Sequence, residues 1–451
     1  MKIHRQRLKW MEQLLADRFG KSWLITEKSS SLVLELQGEA GGVVFDQLEK
    51  AFMQTGVPVQ LGCEWWLIDN KWTSPVDESR LPAPSSAPLS LPLIHLSQNR
   101  ATCHYDILGL AFWAMNRLEE IGSVNLDSHD RFCASESHAE KFEYLNRPLV
   151  DEWLHILGQV ISTVWPQIEL KENTFDFLLS HDVDRPSRYG FQSAKGLIRS
   201  MAADFLKKRD YRTVFIGPLV RLNTKQALHP KDPFNAFDWM MSQSERAGVQ
   251  STFNFISDTN FGQHEAGYKL EYPAIRSLIR TIHERGHELG LHPSYRCYLQ
   301  PERIQHEFIR LKQICQEEDV MQERWGGRMH YLRWSQPETL RALDGVGLSF
   351  DSSLGFVDKA GFRCGTCFSF TPFDALTNES FTLREQPLVV MEASILSERY
   401  MGIRDSAQAL TMMEDLKGKC RKLGGGFSLL WHNSELWHKS QRDLYCEVLD
   451  L

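Results

Sequence analysis

Long apolar runs are missing from this 451-residue chain. No stretch approaches the ~20 apolar residues that a spanning helix needs. The opening MKIHRQRLKWMEQLLADRFG carries basic residues, but no apolar segment of about 7–15 residues follows them. No secretory signal and no transmembrane segment are therefore expected, and the expected location is cytoplasmic. An even cysteine framework is also lacking: nine cysteines, irregularly spaced, suit reduced thiols better than disulfides. A cationic surplus is absent, since the net charge is −7, which argues against a nucleic-acid surface. Internal repeats and long low-complexity segments are absent too.

What is present is a globular composition, 42% hydrophobic and 24% charged, too long for one ordinary core. Two domains are expected, a smaller mixed α+β unit over 1–170 and an α/β unit over 171–451. In the first, apolar spacing predicts a helix over 6–19. Residues 31–37 and 56–60 read as short strands. The Pro/Ser-rich stretch 81–93 reads as a loop or linker. Helices are predicted over 105–121 and 148–164, the latter with Pro148 near its first turn, and a polar loop around Asp127–Phe132.

From residue 174 the rhythm changes. Seven short apolar runs (175–182, 250–257, 287–294, 329–334, 348–354, 388–395 and 427–433) alternate with amphipathic segments such as 234–247, 273–285, 301–317, 337–346 and 406–423. Strand alternating with helix predicts parallel strands with helices outside, and seven strands suit a closed or nearly closed barrel. Nearly every run ends in a side chain able to do chemistry: His181, Asp182 and Asp184; Asn254; His292; Arg333; Asp351; Glu392; His432. In parallel barrels the active site forms at the C-terminal strand ends, and buried charge without a purpose is costly.

Asp182 and Asp184 lie two apart, so on a continuing strand both carboxylates face one site. Their repulsion is relieved by a cation or a proton, which suits one metal ligand and one general base. A capped turn is the structural alternative. His292 ends GHELGLHPSY and, with Asp184, makes part of an N/O site for a divalent metal, zinc first. His287, five residues earlier, points to the other face and reads as structural. His432 ends GGGFSLLWH and suits a general acid. In GGRMHYLRW, extended backbone puts Arg328 and His330 on one face and Arg333 on the other. Either arginine could hold the catalytic carboxylate, and His330 could complete a metal shell. Cys364-Gly-Thr-Cys367 reads as loop cysteines. The aromatics Trp325, Trp334, Phe356, Trp431 and Trp437 read mostly as core, with Trp334, Trp431 and Phe356 near enough to the rim to stack on a sugar. The strand-end acids Asp351 and Glu392 join Trp334 and Trp431 as substrate-binding candidates.

The order LLSHDVDRP, GHELGLHPSY, RMHYLRW, SFDSSLGF, LLWH resembles the polysaccharide deacetylase family (carbohydrate esterase family 4, NodB homology) over about 174–440. The resemblance implies a distorted (β/α)7 barrel, a divalent metal, usually zinc, and removal of acetyl groups from sugars. It implies Asp182 as catalytic base, Asp184 and His292 as metal ligands and His432 as catalytic histidine. Arg328 or Arg333 corresponds to the arginine that orients the base, and Asp351 roughly to the acidic residue of the fourth motif. One departure stands out. The family's second metal histidine, four residues after the first, is Arg296 here, and an arginine cannot ligate a metal. His330 is the leading substitute, with His181 and Asp351 behind it. The front segments HYDILGLAFWAMNRLEE, DSHDRF and RPLVDEW resemble the uncharacterised domain preceding a divergent bacterial branch of these deacetylases, a branch linked with surface-polysaccharide synthesis. The expected substrate is a carbohydrate, as a nucleotide sugar or glycolipid. A catalytically silent carbohydrate-binding protein, which Arg296 would suit, and a hydrolase of a small non-sugar amide are the rival readings.

Overall fold

A computed structural model describes residues 3–450 apart from 57–60, 208–210, 212, 259–263 and 265–266, and apart from the side chains of 207 and 213. Most of the strand expected over 56–60 lies outside the described residues. The first helix, Arg5–Phe19, buries Trp10, Met11, Leu14 and Leu15 and ends at Gly20, whose left-handed φ of 73° lets its N–H reach Ala16 O. Five strands follow in the order Trp23–Lys28, Ser31–Leu36, Gly42–Phe45, Arg100–Cys103, Ile94–Ser97. Leu32, Leu34 and Leu36 alternate inward, as a half-buried strand requires.

The Pro/Ser-rich stretch is not simply a loop. Arg80–Ser85 pairs antiparallel with Gly62–Leu67. A two-stranded ribbon has free outer edges, so it tolerates proline. Side chains use that edge, as Trp153 donates to Pro82 O and Tyr105 to Pro84 O. Ile107–Met115 is a wholly buried helix, shorter than expected, because Arg117 turns to a φ of 51° and pairs with Glu119 and Glu120. Leu149–Val164 forms a helix with Pro148 at its N-cap position.

Beyond residue 175 an eight-stranded sheet forms, with every neighbour parallel. Its strands are β1 Asp176–Val183, β2 Ser251–Phe255, β3 Glu288–Leu291, β4 Gly326–Gly327, β5 Phe350–Asp351, β6 Arg384–Glu385, β7 Val390–Met391 and β8 Gly426–Leu430. The order is β6-β5-β4-β3-β2-β1-β8-β7. The two edge strands, β6 and β7, are joined by residues 386–389 alone. Eight flat strands would hold their edges about 34 Å apart, whereas five Cα steps reach at most about 19 Å. The sheet therefore curls until its edges nearly meet.

Two expectations are corrected. Among the described residues the sheet has eight strands rather than seven, because β6 has no apolar run of its own. The strand expected over 329–334 is Gly326–Gly327, and His330–Leu332 form a 3-10 turn with Tyr331 and Leu332 at φ 63° and 50°. Two helices that the periodicity did not single out, Ala194–Lys207 and Thr213–Asn223, are inserted between β1 and β2.

The buried core of the front segment does not stop at residue 170. It runs on into Trp334, Phe356, Phe370 and Phe373, which belong to the connections around β5 and β6. A second cluster fills the curled sheet and its helices.

Candidate active site

Because all eight strands run the same way, their C-terminal ends share one rim. Asp182 closes β1, in register with Asn254 of β2. That pairing lets Asn254 Nδ2 donate to Asp182 Oδ1 at 2.8 Å. Arg328, directly after β4, brings Nη1 to the same oxygen at 3.1 Å and fixes its own plane by donating Nε–H to Ser352 O. With Oδ1 held twice, Oδ2 lies 3.7 Å from His292 Nε2. Burial alone would raise the Asp182 pKa, but His292, Arg328 and His432 hold it below its ordinary value.

Asp184, His292 and His330 converge, their ligand atoms all within 4.8 Å of one another. His292 follows β3 and donates Nδ1–H to Arg328 O at 2.6 Å. That bond leaves Nε2 as the lone-pair nitrogen. Nε2 faces Asp184 Oδ1 at 3.1 Å, and His330 Nε2 lies 3.5 Å from the same oxygen. Four donors about 2.05 Å from a tetrahedral zinc are spaced about 3.3 Å, which falls between these two distances. Asp184 Oδ1 is buried with no hydrogen-bond partner, and so is His330 Nδ1. An orphaned buried carboxylate oxygen facing two imidazole nitrogens is what a cation would satisfy, so the residues fit a divalent metal. Burial opposes the Asp184 charge, yet His330 and His292 hold its pKa well below the ordinary value. His292 is lowered by burial and raised overall by Asp182 and Asp184, while burial prevails at His330 and lowers it.

His432 follows β8 and faces Asp184 Oδ2 with Nε2 at 3.8 Å. Glu392, at the end of β7, accepts from His432 twice through Oε1, from the backbone N–H at 2.9 Å and from Nδ1 at 2.6 Å. Burial would lower the His432 pKa, but Glu392 and the two aspartates push it up to about 10. The ring is held through Nδ1 with Nε2 turned toward the site.

Not every expected residue arrives at this rim. Arg333 leaves the site: the left-handed turn at Tyr331 and Leu332 reverses the chain and sends its guanidinium to His129 O, Tyr295 O and Asp130. Glu392 is fully buried on His432, so it positions the histidine and cannot meet a substrate as expected. Trp334 is buried with its indole N–H on Asp351 Oδ2, and Trp431 is buried beside Tyr445. Neither exposes a face on which a sugar could stack. Phe356 is buried as well. Asp351 is spent on Ser353 and Trp334, and is also closed to solvent. His181 turns away to Trp431 O, and His287 accepts from Ser251 N, so neither is a ligand. Arg296 is exposed in a short turn.

Sequence reasoning assigned Asn254 no role and missed the outer rim altogether. His129, from the polar loop of the front segment, has Nδ1 3.0 Å from Tyr295 Oη and receives an N–H from Arg399 at 3.1 Å on Nε2. Its ring is 5.0 Å from that of Tyr331, which is 4.8 Å from His330 and whose hydroxyl is 2.9 Å from His264 Nδ1. This aromatic and cationic edge draws on five distant segments, and no local pattern announces it. Arg131, paired with Asp127, donates to Tyr331 O and clamps the front loop there.

Residues 2–166 match the model of a family of unknown function, DUF7033. No curated protein matches the chain. Among solved structures the chain is similar to one from Mycobacterium smegmatis described as a "putative polysaccharide deacetylase". The two share 16% identity with a TM-score of 0.40, over 62% of this chain and 83% of that one.

Proposed function

We propose that this protein is a metal-dependent hydrolase that removes an acetyl group from an N-acetylated sugar, in the synthesis of surface polysaccharide. The observation that carries the hydrolase reading is one rim holding three separate devices. These are a carboxylate pinned by Asn254 and Arg328, an Asp–His–His cluster, and a histidine held through Nδ1 by a buried glutamate. The sugar class rests on the motif order read from the sequence.

Asp184, His292 and His330 would hold the metal, zinc being the first candidate for two nitrogens and an oxygen. When bound, it would supply Lewis acidity toward the acetyl carbonyl and the attacking water. Asp182 Oδ2, its partner oxygen already held, accepts the water proton as the new C–O bond forms. His432 Nε2 donates its proton to the sugar nitrogen as the C–N bond breaks, and acetate and the free amine leave. Glu392 keeps the ring oriented and charged through the step. Arg328 keeps Asp182 ionised and in place.

The silent-binder reading draws on Arg296 standing where a ligand histidine is expected. With His330 beside Asp184 and His292, it loses that support. The assignment is tested by acetate release from nucleotide sugars, glycolipids and oligosaccharides. Asp182→Ala and His432→Ala should each lower turnover by about 10²–10⁴-fold with unchanged circular dichroism. Full acetate release by both variants overturns the base and acid roles of these two residues. Release from small non-sugar amides alone overturns the substrate class.

A further inference from the structure

The two helices inserted between β1 and β2 have an outer face that the fold leaves uncovered. Their inner faces pack through Leu197, Met201, Ile216 and Val220 onto Tyr189. On the second helix Phe215, Leu219 and Leu222 recur at the i, i+4, i+7 spacing of a single face, and they are 76%, 55% and 81% exposed. On the first helix Ile198 and Leu206 are 68% and 74% exposed. Of the eighteen exposed large hydrophobic residues among the described residues, eight fall between 198 and 222. A helix pair facing only water carries polar residues at such positions.

Charge singles out the same segment. Among the described side chains between residues 194 and 225, Lys195, Arg199, Arg221 and Lys225 are exposed and the single acid, Asp204, is buried, whereas the whole chain has a net charge of −7. Exposed apolar side chains and a cationic surplus thus coincide on one short insertion in an otherwise acidic protein.

We propose that this hairpin docks the protein on an anionic lipid bilayer, its outer apolar face among the headgroups and upper acyl chains and its basic residues on lipid phosphates. A second copy is a poorer occupant, because two-fold pairing of this face would set two cationic hairpins against each other. A bilayer supplies apolar depth and negative charge together. The hairpin is tied to the loop that leaves Asp184. Asp204 accepts from the Arg188 guanidinium at 2.8 and 3.0 Å and from the Tyr189 hydroxyl at 3.1 Å. Docking therefore holds the mouth of the candidate site close to the lipid surface. The proposal is independent of the catalytic reading.

Flotation of the full-length protein with vesicles tests it. Vesicles of phosphatidylcholine containing about 30% phosphatidylglycerol should bind at least about tenfold more protein than phosphatidylcholine alone. Binding should fall at high salt. The variant Phe215→Glu/Leu219→Glu/Leu222→Glu should lose at least about tenfold in vesicle binding, with its thermal unfolding unchanged. Three results overturn the proposal. One is no binding of the wild type to the anionic vesicles. Another is equal binding by the triple variant. The third is a wild-type dimer in sedimentation that the triple variant dissolves, without any vesicle binding.

Discussion

His292 and Arg328 are the charge partners of Asp182 in a site closed to solvent, and Arg328 is the one that bonds its carboxylate directly, so Arg328 cannot be removed cheaply. Arg328→Ala leaves a buried carboxylate short of its cation, and should cost about 3–5 kcal/mol in chemical unfolding as well as activity. Arg333→Ala should leave the Asp182 bonds intact and act instead on the loop around Asp130, raising KM more than it lowers kcat. Equal effects of the two substitutions on kcat would contradict the assignment of Arg328 as the positioning arginine. The sequence leaves these two arginines undecided for a physical reason. Their difference depends on left-handed backbone at Tyr331 and Leu332, residues that rarely adopt it. Asp182, Asp184, His292 and His432 are legible because each closes an apolar run. The tryptophans mislead because nearness to a rim in sequence says nothing of whether the ring faces inward.

At the scale of elements, β3 carries a glycine that the site needs. A Cβ on Gly290 would fall 1.9 Å from Asn254 Oδ1, so Gly290→Ala should push Asn254 off Asp182. The expected outcome is a fall in kcat together with a loss of about 1–3 kcal/mol in stability, the usual cost of overpacking. Normal turnover in that variant would contradict the role of Asn254. Strands β5 and β6 bring Asp351 and Glu385 side by side in the core. Burial raises Asp351 to about 6, and burial together with Asp351 raises Glu385 well above its ordinary value. Both folded-state values lie above the unfolded ones. Their stabilising contribution is therefore complete below about pH 4 and is lost as pH rises through the folded values. For Asp351 the move from 3.8 to about 6 corresponds to roughly 3 kcal/mol. Glu385→Gln should be more stable than wild type at pH 8 and gain least at pH 4, as read by urea midpoints. The opposite ordering would contradict the pair. Strand β6 escapes the sequence because two residues held by a neighbouring strand have no period of their own. The long runs of β1, β2 and β8 are plain.

For the whole molecule, we keep 1–170 and 171–451 as the proposed domains, with a seam that neither closes alone. Buried pairs cross it: Arg363 with Glu120, and Asp151 with Thr366 Oγ1 and Cys367 N. Trp334, Phe370 and Phe373 belong to the front core. Expression of 171–451 alone should give aggregated protein, and a soluble fragment with cooperative unfolding would contradict this coupling. Alternation of strand and helix makes the parallel sheet legible. The seam is not, because it is made by contacts between residues more than 200 apart. Among the described residues no helix is long and apolar enough to cross a membrane. The chemistry turns on the cluster of Asp184, His292 and His330, and metal content of the purified protein addresses it most directly. About one divalent ion per chain is predicted, lost in His330→Ala and retained in Arg296→Ala. A wild-type chain that binds no divalent ion, or a His330→Ala chain that binds it undiminished, would contradict the metal site.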